Sequence, residues 1–233
     1  MIKVIVPTEL NDITLGQLQK YQKLTEGVED QDILRQTMLS VFCDLDIKHY
    51  DKLHAQHVKE ICLGIESILN GKPRHERFFT LEGVKMAFIP NLDEITMGEY
   101  VDLENIGHEV DNWHKLMCIL YRPLLKTFGN RYDIENYKGY DNASQYKQMP
   151  LGVALGAVVF FWNLGSDLLL DTLKSLKQVE KDEVLKEHLL KNGLGLAHFT
   201  DSLKEISVEL NRSQVYPYTL ASIGLHMKQT YSN

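Results

Sequence analysis

The sequence predicts a mostly α-helical protein: a helical domain around a central apolar helix over about residues 150–177, with a small β-hairpin or three-stranded patch. Three observations predict it. The run Pro150–Leu170, PLGVALGAVVFFWNLGSDLLL, is the most apolar part of the chain, and a helix that is apolar all round is buried all round. Apolar residues recur at helical spacing through most of the remaining sequence. Two segments, starting at Thr14 and Thr96, carry the same helix-start signature.

The central helix is read from Pro150, whose missing N–H suits a first helical turn, through Leu168, Leu169, Leu170, Leu173 and Leu176. That is ~28 residues and about 42 Å at 1.5 Å per residue. Asn163, Ser166 and Asp167 interrupt it before the ~20 apolar residues that a membrane span needs. Gly152 and Gly156 form a small-xxx-small pair that admits a close neighbour. The expected neighbour is another helix of the core, with a self-association face as the alternative.

In chain order, Ile2–Val6 is a β-type run stopped by Pro7. Thr14 and Gln17 make a capping box with Ile13 and Leu18 as its staple, and Leu15, Leu18, Tyr21 and Leu24 continue the stripe. A second helix spans about Asp30–Cys43, with Leu34, Met38, Val41, Phe42 and Leu45 inward. A third, His54–Leu69, has the cleanest period: Val58, Ile61, Cys62, Ile65, Ile68 and Leu69. Arg77–Leu81 and Val84–Ile89 read as a hairpin turning at Glu82-Gly83 and ended by Pro90. With Ile2–Val6 it could make the three-stranded patch, and its edge is a place where a partner strand could add.

Residues 92–100 then repeat residues 10–18: Leu10/Leu92, Ile13/Ile95, Thr14/Thr96 and Gly16/Gly98 match. Thr96 and Glu99 rebuild the capping box, and Ile95 and Tyr100 its staple. Convergence on a good cap and an old duplication both account for the likeness. Val110, Trp113, Met117, Leu120, Tyr121 and Leu124 form a further amphipathic helix that Pro123 ends near Arg122. Lys126–Gln148 has no clear period yet holds Phe128, Tyr132, Tyr137, Tyr140 and Tyr146, too many aromatics for disorder. Because Tyr and Arg anchor interfaces, Arg122, Phe128, Arg131, Tyr132, Tyr137, Tyr140 and Tyr146 are the candidate partner-binding residues. The alternative is a loop that packs over its own core: replacing Tyr132, Tyr137 and Tyr140 together by Ala is expected to leave folding intact and weaken partner binding, and unfolding instead would assign the loop to the core. Lys181–Lys191, Leu194–Leu210 and a last helix from Thr219 complete the chain, the first two split at Asn192-Gly193.

One domain over 1–233 is expected, with a possible subdivision at 1–90 and 91–233. The net charge of -7 disfavours a general affinity for nucleic acid, and no run of four or more Lys or Arg occurs. Cys43, Cys62 and Cys118 read as buried hydrophobes of a reducing compartment. With no secretory signal at Met1–Leu10, the chain is expected to work in soluble form.

No catalytic or metal residue is assigned. His54, His57, Asp51 and Glu60 sweep half a helix rather than converging. His108-Glu109 is not a zinc-protease motif, and no G-x-S-x-G elbow is present. Cys118 follows His114 at helical spacing, but its apolar neighbours indicate an inert thiol. Asp102 and Glu104 fall on opposite sides of a helix. The glycines at 152, 156 and 165 match no phosphate loop. The expectation is no enzyme and no cofactor, with a small enzyme lacking a local motif as a remaining alternative.

Four stretches resemble a protein of the crAss-like tailed bacteriophages of Bacteroidetes: Phe88–Ile106, Met117–Leu125, Tyr132–Tyr140 and Met149–Leu169. Together they cover about a third of the chain. The resemblance implies a virion component, a head–tail connector or tail ring subunit that forms a homo-oligomeric ring and contacts portal, tail or ring neighbours. It implies no catalytic residues, no membrane and no sequence-specific nucleic acid. A tail-assembly chaperone absent from the particle is the alternative within the same resemblance.

Overall fold

A computed structural model describes residues 4–106 and 110–161, leaving the Glu104 side chain aside. The expected helices after residue 161, including the second half of the central helix, lie outside the described residues. The chain divides into two compact units with the boundary between Ala157 and Val158. The first unit is mainly helical and carries a four-stranded antiparallel sheet.

Three helices open the chain: α1 (Leu15–Thr25), α2 (Gln31–Phe42) and α3 (Ala55–Leu69). Both halves of the first capping box form. The Thr14 N–H donates to Gln17 Oε1 at 2.8 Å, and the Gln17 N–H donates to Thr14 Oγ1 at 3.2 Å. The spare half of the Gln17 amide then donates to the Val41 carbonyl at 2.9 Å, an orphan acceptor in the last turn of α2. One side chain thus caps α1 and ties it to α2. Asp30 caps α2 by accepting from the N–H groups of Asp32 and Ile33. Leu15, Leu18 and Tyr21 are buried with Leu34, Met38, Val41 and Phe42, the Tyr21 and Phe42 rings 5.1 Å apart. Leu24, expected inward, is 52% exposed in the last turn of α1.

The helix starting at residue 151 meets α1 through its backbone. The Leu15 N–H donates to the Met149 carbonyl at 2.9 Å, and the Leu151 N–H donates to the Ile13 carbonyl at 2.8 Å. Two helix N-termini therefore satisfy each other's first orphan N–H. Thr14 and Pro150 face each other across this bridge at positions that need no donor, so Pro150 sits one residue before the helix rather than in it. Residues 151–161 are helical, and 151–157 are buried, as all-round apolarity requires.

The glycine notches do not receive a helix. A Cβ on Gly152 would run into the Asn11 side chain, and one on Gly156 into the Arg74 carbonyl. The close neighbours are side chains of the 3-10 turn Leu10–Asp12 before α1 and the backbone at Arg74 in the segment leading to the sheet.

The sheet has the order β1-β2-β3-β4, with β1 (Phe78–Leu81), β2 (Val84–Phe88), β3 (Tyr121–Phe128) and β4 (Arg131–Ile134). Glu82 (φ 49°) and Gly83 (φ 83°) are both left-handed, the type I′ geometry that matches strand twist. Residues 4–6 are not a strand. The place expected for them beside the hairpin belongs to β3, through Met86–Pro123, Ala87–Arg122 and Phe88–Tyr121. Between the two hairpins run α4 (Met97–Ile106) and α5 (Trp113–Leu120). The helix expected to end near Arg122 stops at Leu120. Tyr121 is already extended, buried against Phe79 and Phe88 with ring centroids at 5.2 and 5.1 Å, and its hydroxyl donates to the Glu76 carbonyl at 2.6 Å.

Candidate functional site

The stretch 126–148 that lacked a period is a β-turn-β arm followed by a 3-10 turn at Ala143–Gln148. It distributes the candidate residues between two settings. Arg122, Tyr132, Tyr137 and Tyr146 hold the fold together, whereas Phe128 and Arg131 project from it.

The inner group centres on the second capping box. The N–H and hydroxyl of Thr96 donate to Glu99 Oε2 at 2.6 and 2.7 Å, and the Glu99 N–H donates back to Thr96 Oγ1 at 3.3 Å. The other carboxylate oxygen of Glu99 lies 2.7 Å from the Arg122 guanidinium on β3. The side chains of Glu99 and Arg122 are only 4% and 12% exposed. Burial alone would raise the Glu99 carboxyl. The Thr96 hydrogen bonds and the Arg122 charge outweigh it and hold the group below its ordinary value. Arg122 also lies 5.9 Å from the centre of the Tyr137 ring, and the Tyr137 hydroxyl donates to Asp102 Oδ2 at 2.6 Å. α4 is therefore moored by two carboxylates one turn apart, Glu99 and Asp102. The repeat uses one device twice: the third residue of each helix caps it and gives its spare atoms to another element. In the first copy that element is α2, in the second β3.

Tyr132 and Tyr146 are core residues. The Tyr132 hydroxyl donates to the Phe88 carbonyl at 2.9 Å and that of Tyr146 to the Tyr121 carbonyl at 2.6 Å. The Lys115 ammonium lies 5.8 Å from the centre of the half-buried Tyr140 ring. Replacing Tyr132 together with Tyr137 and Tyr140 therefore removes packing and a buried hydrogen bond, so the triple alanine variant does not leave folding untouched.

The outer group is the arm itself. Pairing between β2 and β3 ends at Met86–Pro123, so from Leu124 onward β3 has β4 as its strand partner. Gly129 (φ 59°) and Asn130 make the two-residue turn. A bulge between Leu124 and Lys126 takes Leu125 out of register, a feature that re-aims a side chain. From there the pleat puts Tyr132 inward, opposite Thr127, and Lys126, Phe128, Arg131 and Asp133 on the other face. Leu125 is 60% exposed and Phe128 59%. The exposed part of this hairpin thus carries Leu125 in the bulge, Phe128 and Arg131 paired beside the turn, and Lys126 opposite Asp133. Sequence reasoning missed Leu125 and Lys126. The alternation on either side of Gly129-Asn130 was the signal that marks them as part of a hairpin.

Other reactive groups are spoken for or dispersed. Burial pushes the Cys43 thiol up to about 11 and that of Cys62 up to about 12, and it raises that of Cys118, which faces the Gly139 carbonyl at 3.9 Å. His114 Nδ1 lies 3.2 Å from Gln19 Nε2, which also donates to the Val110 carbonyl at 2.6 Å. Burial, then the nearby Lys147 and Lys115, pushes His114 below its usual value. The His54 and His57 rings meet edge-on at 5.5 Å, His54 standing before α3 rather than in it. Among the described residues no group of three or more His, Cys, Asp or Glu is placed to hold a metal ion, and no helix is long and apolar enough to cross a membrane.

No family model, curated protein or solved structure matches this chain.

Proposed function

We propose that the chain is a structural protein of a tailed bacteriophage, a head–tail connector or tail ring subunit that works by shape and protein contact rather than by catalysis. The observation that carries the reading is the β3–β4 hairpin: it is fixed at its base by Arg122 and the Glu99 cap and near its turn by the buried Tyr132, and it leaves Leu125 in the bulge and Phe128 beside the turn exposed. Solvent-exposed apolar residues on a rigid hairpin fit a neighbour's surface, since a preorganised element loses little freedom on docking. The charges of β4, Arg131 and Asp133, blunt the open sheet edge against indiscriminate strand addition, which leaves side-chain contact as the arm's mode of binding. On this reading the helix starting at residue 151 continues as one apolar rod to about residue 177, the spine of the subunit, and the working location is the virion.

Mass spectrometry of purified particles tests it. The chain is expected in the particle in multiple copies. Its absence from particles, with the chain abundant in infected cells, overturns the structural role and assigns the exposed arm to a tail-assembly chaperone.

A further inference from the structure

We infer that the open start of α4 receives Tyr216–Leu220 of the same chain, in the way that the start of α1 receives Met149–Val153. The occupied copy of the repeat shows what the open copy lacks.

In the first copy, Leu15 and Ile13 share two backbone hydrogen bonds with Met149 and Leu151, and Pro150 stands opposite Thr14, where no donor is needed. The Lys147 carbonyl passes so close that a Cβ on Gly16 would lie 2.9 Å from its oxygen. Leu15, Leu18 and Gln19 are 0%, 0% and 7% exposed. The second copy keeps the capping box and lacks the cover. Among the described residues the Met97 N–H and the Ile95 carbonyl make no counterpart of those two bonds, and a Cβ on Gly98 meets nothing within 4 Å. Met97, Tyr100 and Val101, at the positions of Leu15, Leu18 and Gln19, are 75%, 46% and 41% exposed. A glycine in a helix costs about 0.5–1 kcal/mol relative to alanine. Gly16 has a reason to be glycine, and Gly98 has the same reason once chain passes over it.

The sequence outside the described residues holds a matching entry. Residues 162–233 contain one proline, Pro217, which leads into the segment read as the last helix. Met149-Pro150-Leu151-Gly152-Val153-Ala154 and Tyr216-Pro217-Tyr218-Thr219-Leu220-Ala221 share a proline between two large apolar residues, then an aliphatic–alanine pair. Docked in the same register, Pro217 takes the place opposite Thr96 that needs no donor. The Tyr216 carbonyl accepts from the Met97 N–H, and the Tyr218 N–H donates to the Ile95 carbonyl, so each helix start satisfies an orphan group of the other. Thr219 and Ile223 stand where Gly152 and Gly156 do, so the likeness covers the entry and not the bed of the helix beyond it.

Disulfide trapping in the full chain tests this. Leu15 and Met149 stand directly opposite each other in the first copy, so Met97→Cys with Tyr216→Cys is expected to link within one chain under mild oxidation, read by non-reducing electrophoresis and peptide mapping. Leu24→Cys with Tyr216→Cys is the control, Leu24 being exposed on α1, and the native thiols are buried. The link should form at least about tenfold faster than in the control. Gly98→Ala added to the pair puts a Cβ in the path of the segment and should remove that advantage. It should still raise the melting temperature, because a docked end segment opens before the main transition and the melt then reads α4 alone. Hydrogen exchange of the unsubstituted chain is an independent measurement: the Met97 amide should exchange more slowly than that of Gly98, which stays unbonded on docking. A link no faster than the control, indifference to Gly98→Ala, or a Met97 amide as fast as that of Gly98 would each overturn the docking. Links formed between two chains rather than within one would give the site to a second copy and overturn it as well.

Discussion

Glu99 does two jobs that the molecule itself allows to be separated. It caps α4 and it neutralises Arg122. Glu99→Ala ends both, and Glu99→Gln ends only the second, because Gln17 shows that a glutamine at the same position of the repeat closes the same box at 2.8 Å. Loss of a cap costs about 1 kcal/mol. Leaving a buried cation without its partner costs about 3 kcal/mol, toward the low end of the range because Arg122 keeps some solvent and the Tyr137 ring. Glu99→Gln should therefore lose about 3 kcal/mol and Glu99→Ala about 4. Removing the charge on both sides, in Glu99→Gln with Arg122→Met, should recover much of the loss, since a buried pair replaced by apolar volume is often neutral. Urea unfolding followed by circular dichroism measures the wild type, these three variants and Arg122→Met alone. The pH dependence adds a second readout. The carboxyl is depressed in the fold, so its contribution is complete above the ordinary carboxylate value of about 4.3 and fades as pH falls toward the lowered folded value. The acid limb of the wild type should be steeper than that of Glu99→Gln. A glutamine variant as stable as wild type, or a double variant as damaged as the sum of the singles, would refute the reasoning.

The glycines of the repeat give a paired test. A Cβ at Gly16 would stand 2.9 Å from the Lys147 carbonyl oxygen, whereas one at Gly98 meets nothing within 4 Å. Gly98→Ala should stabilise by about 0.5–1 kcal/mol through helix propensity, and Gly16→Ala should destabilise by about 1–3 kcal/mol through overpacking, both read by thermal melting. Tyr146→Phe removes a buried hydroxyl and strands the Tyr121 carbonyl, at a cost of about 1–3 kcal/mol in urea unfolding. His114 is held neutral with a folded value below the unfolded one of about 6.5. Stability should thus be full above that pH and fall as the unfolded chain takes up the proton first, and His114→Gln should flatten the profile between pH 7 and the folded value of the group.

The helix starts were readable because a capping box is local: Thr14 and Gln17, or Thr96 and Glu99, are neighbours in sequence and find each other in any context that lets the helix begin. The Glu82-Gly83 turn was readable for the same reason, its positive φ values being a property of two residues. The inward residues of α2 followed from period alone. The candidate site was legible only in part. Aromatic content pointed to the right segment, but it could not tell Tyr132 and Tyr146, whose hydroxyls donate to distant carbonyls, from Phe128, which meets solvent.

What the sequence determined by itself is where helices and turns begin and that the run from Leu151 is buried, since these follow from short-range hydrogen bonding and apolar spacing. Only the tertiary structure decided that Tyr121 leaves the helix for a strand, that residues 4–6 do not join the sheet, and that Gly152 and Gly156 face the Asn11 side chain and the Arg74 carbonyl. Each of these depends on a partner far along the chain, Phe88, β3, Asn11 or Arg74. A residue's own propensity is worth a fraction of a kcal/mol and yields to such contacts when they bury an aromatic ring or complete a strand ladder.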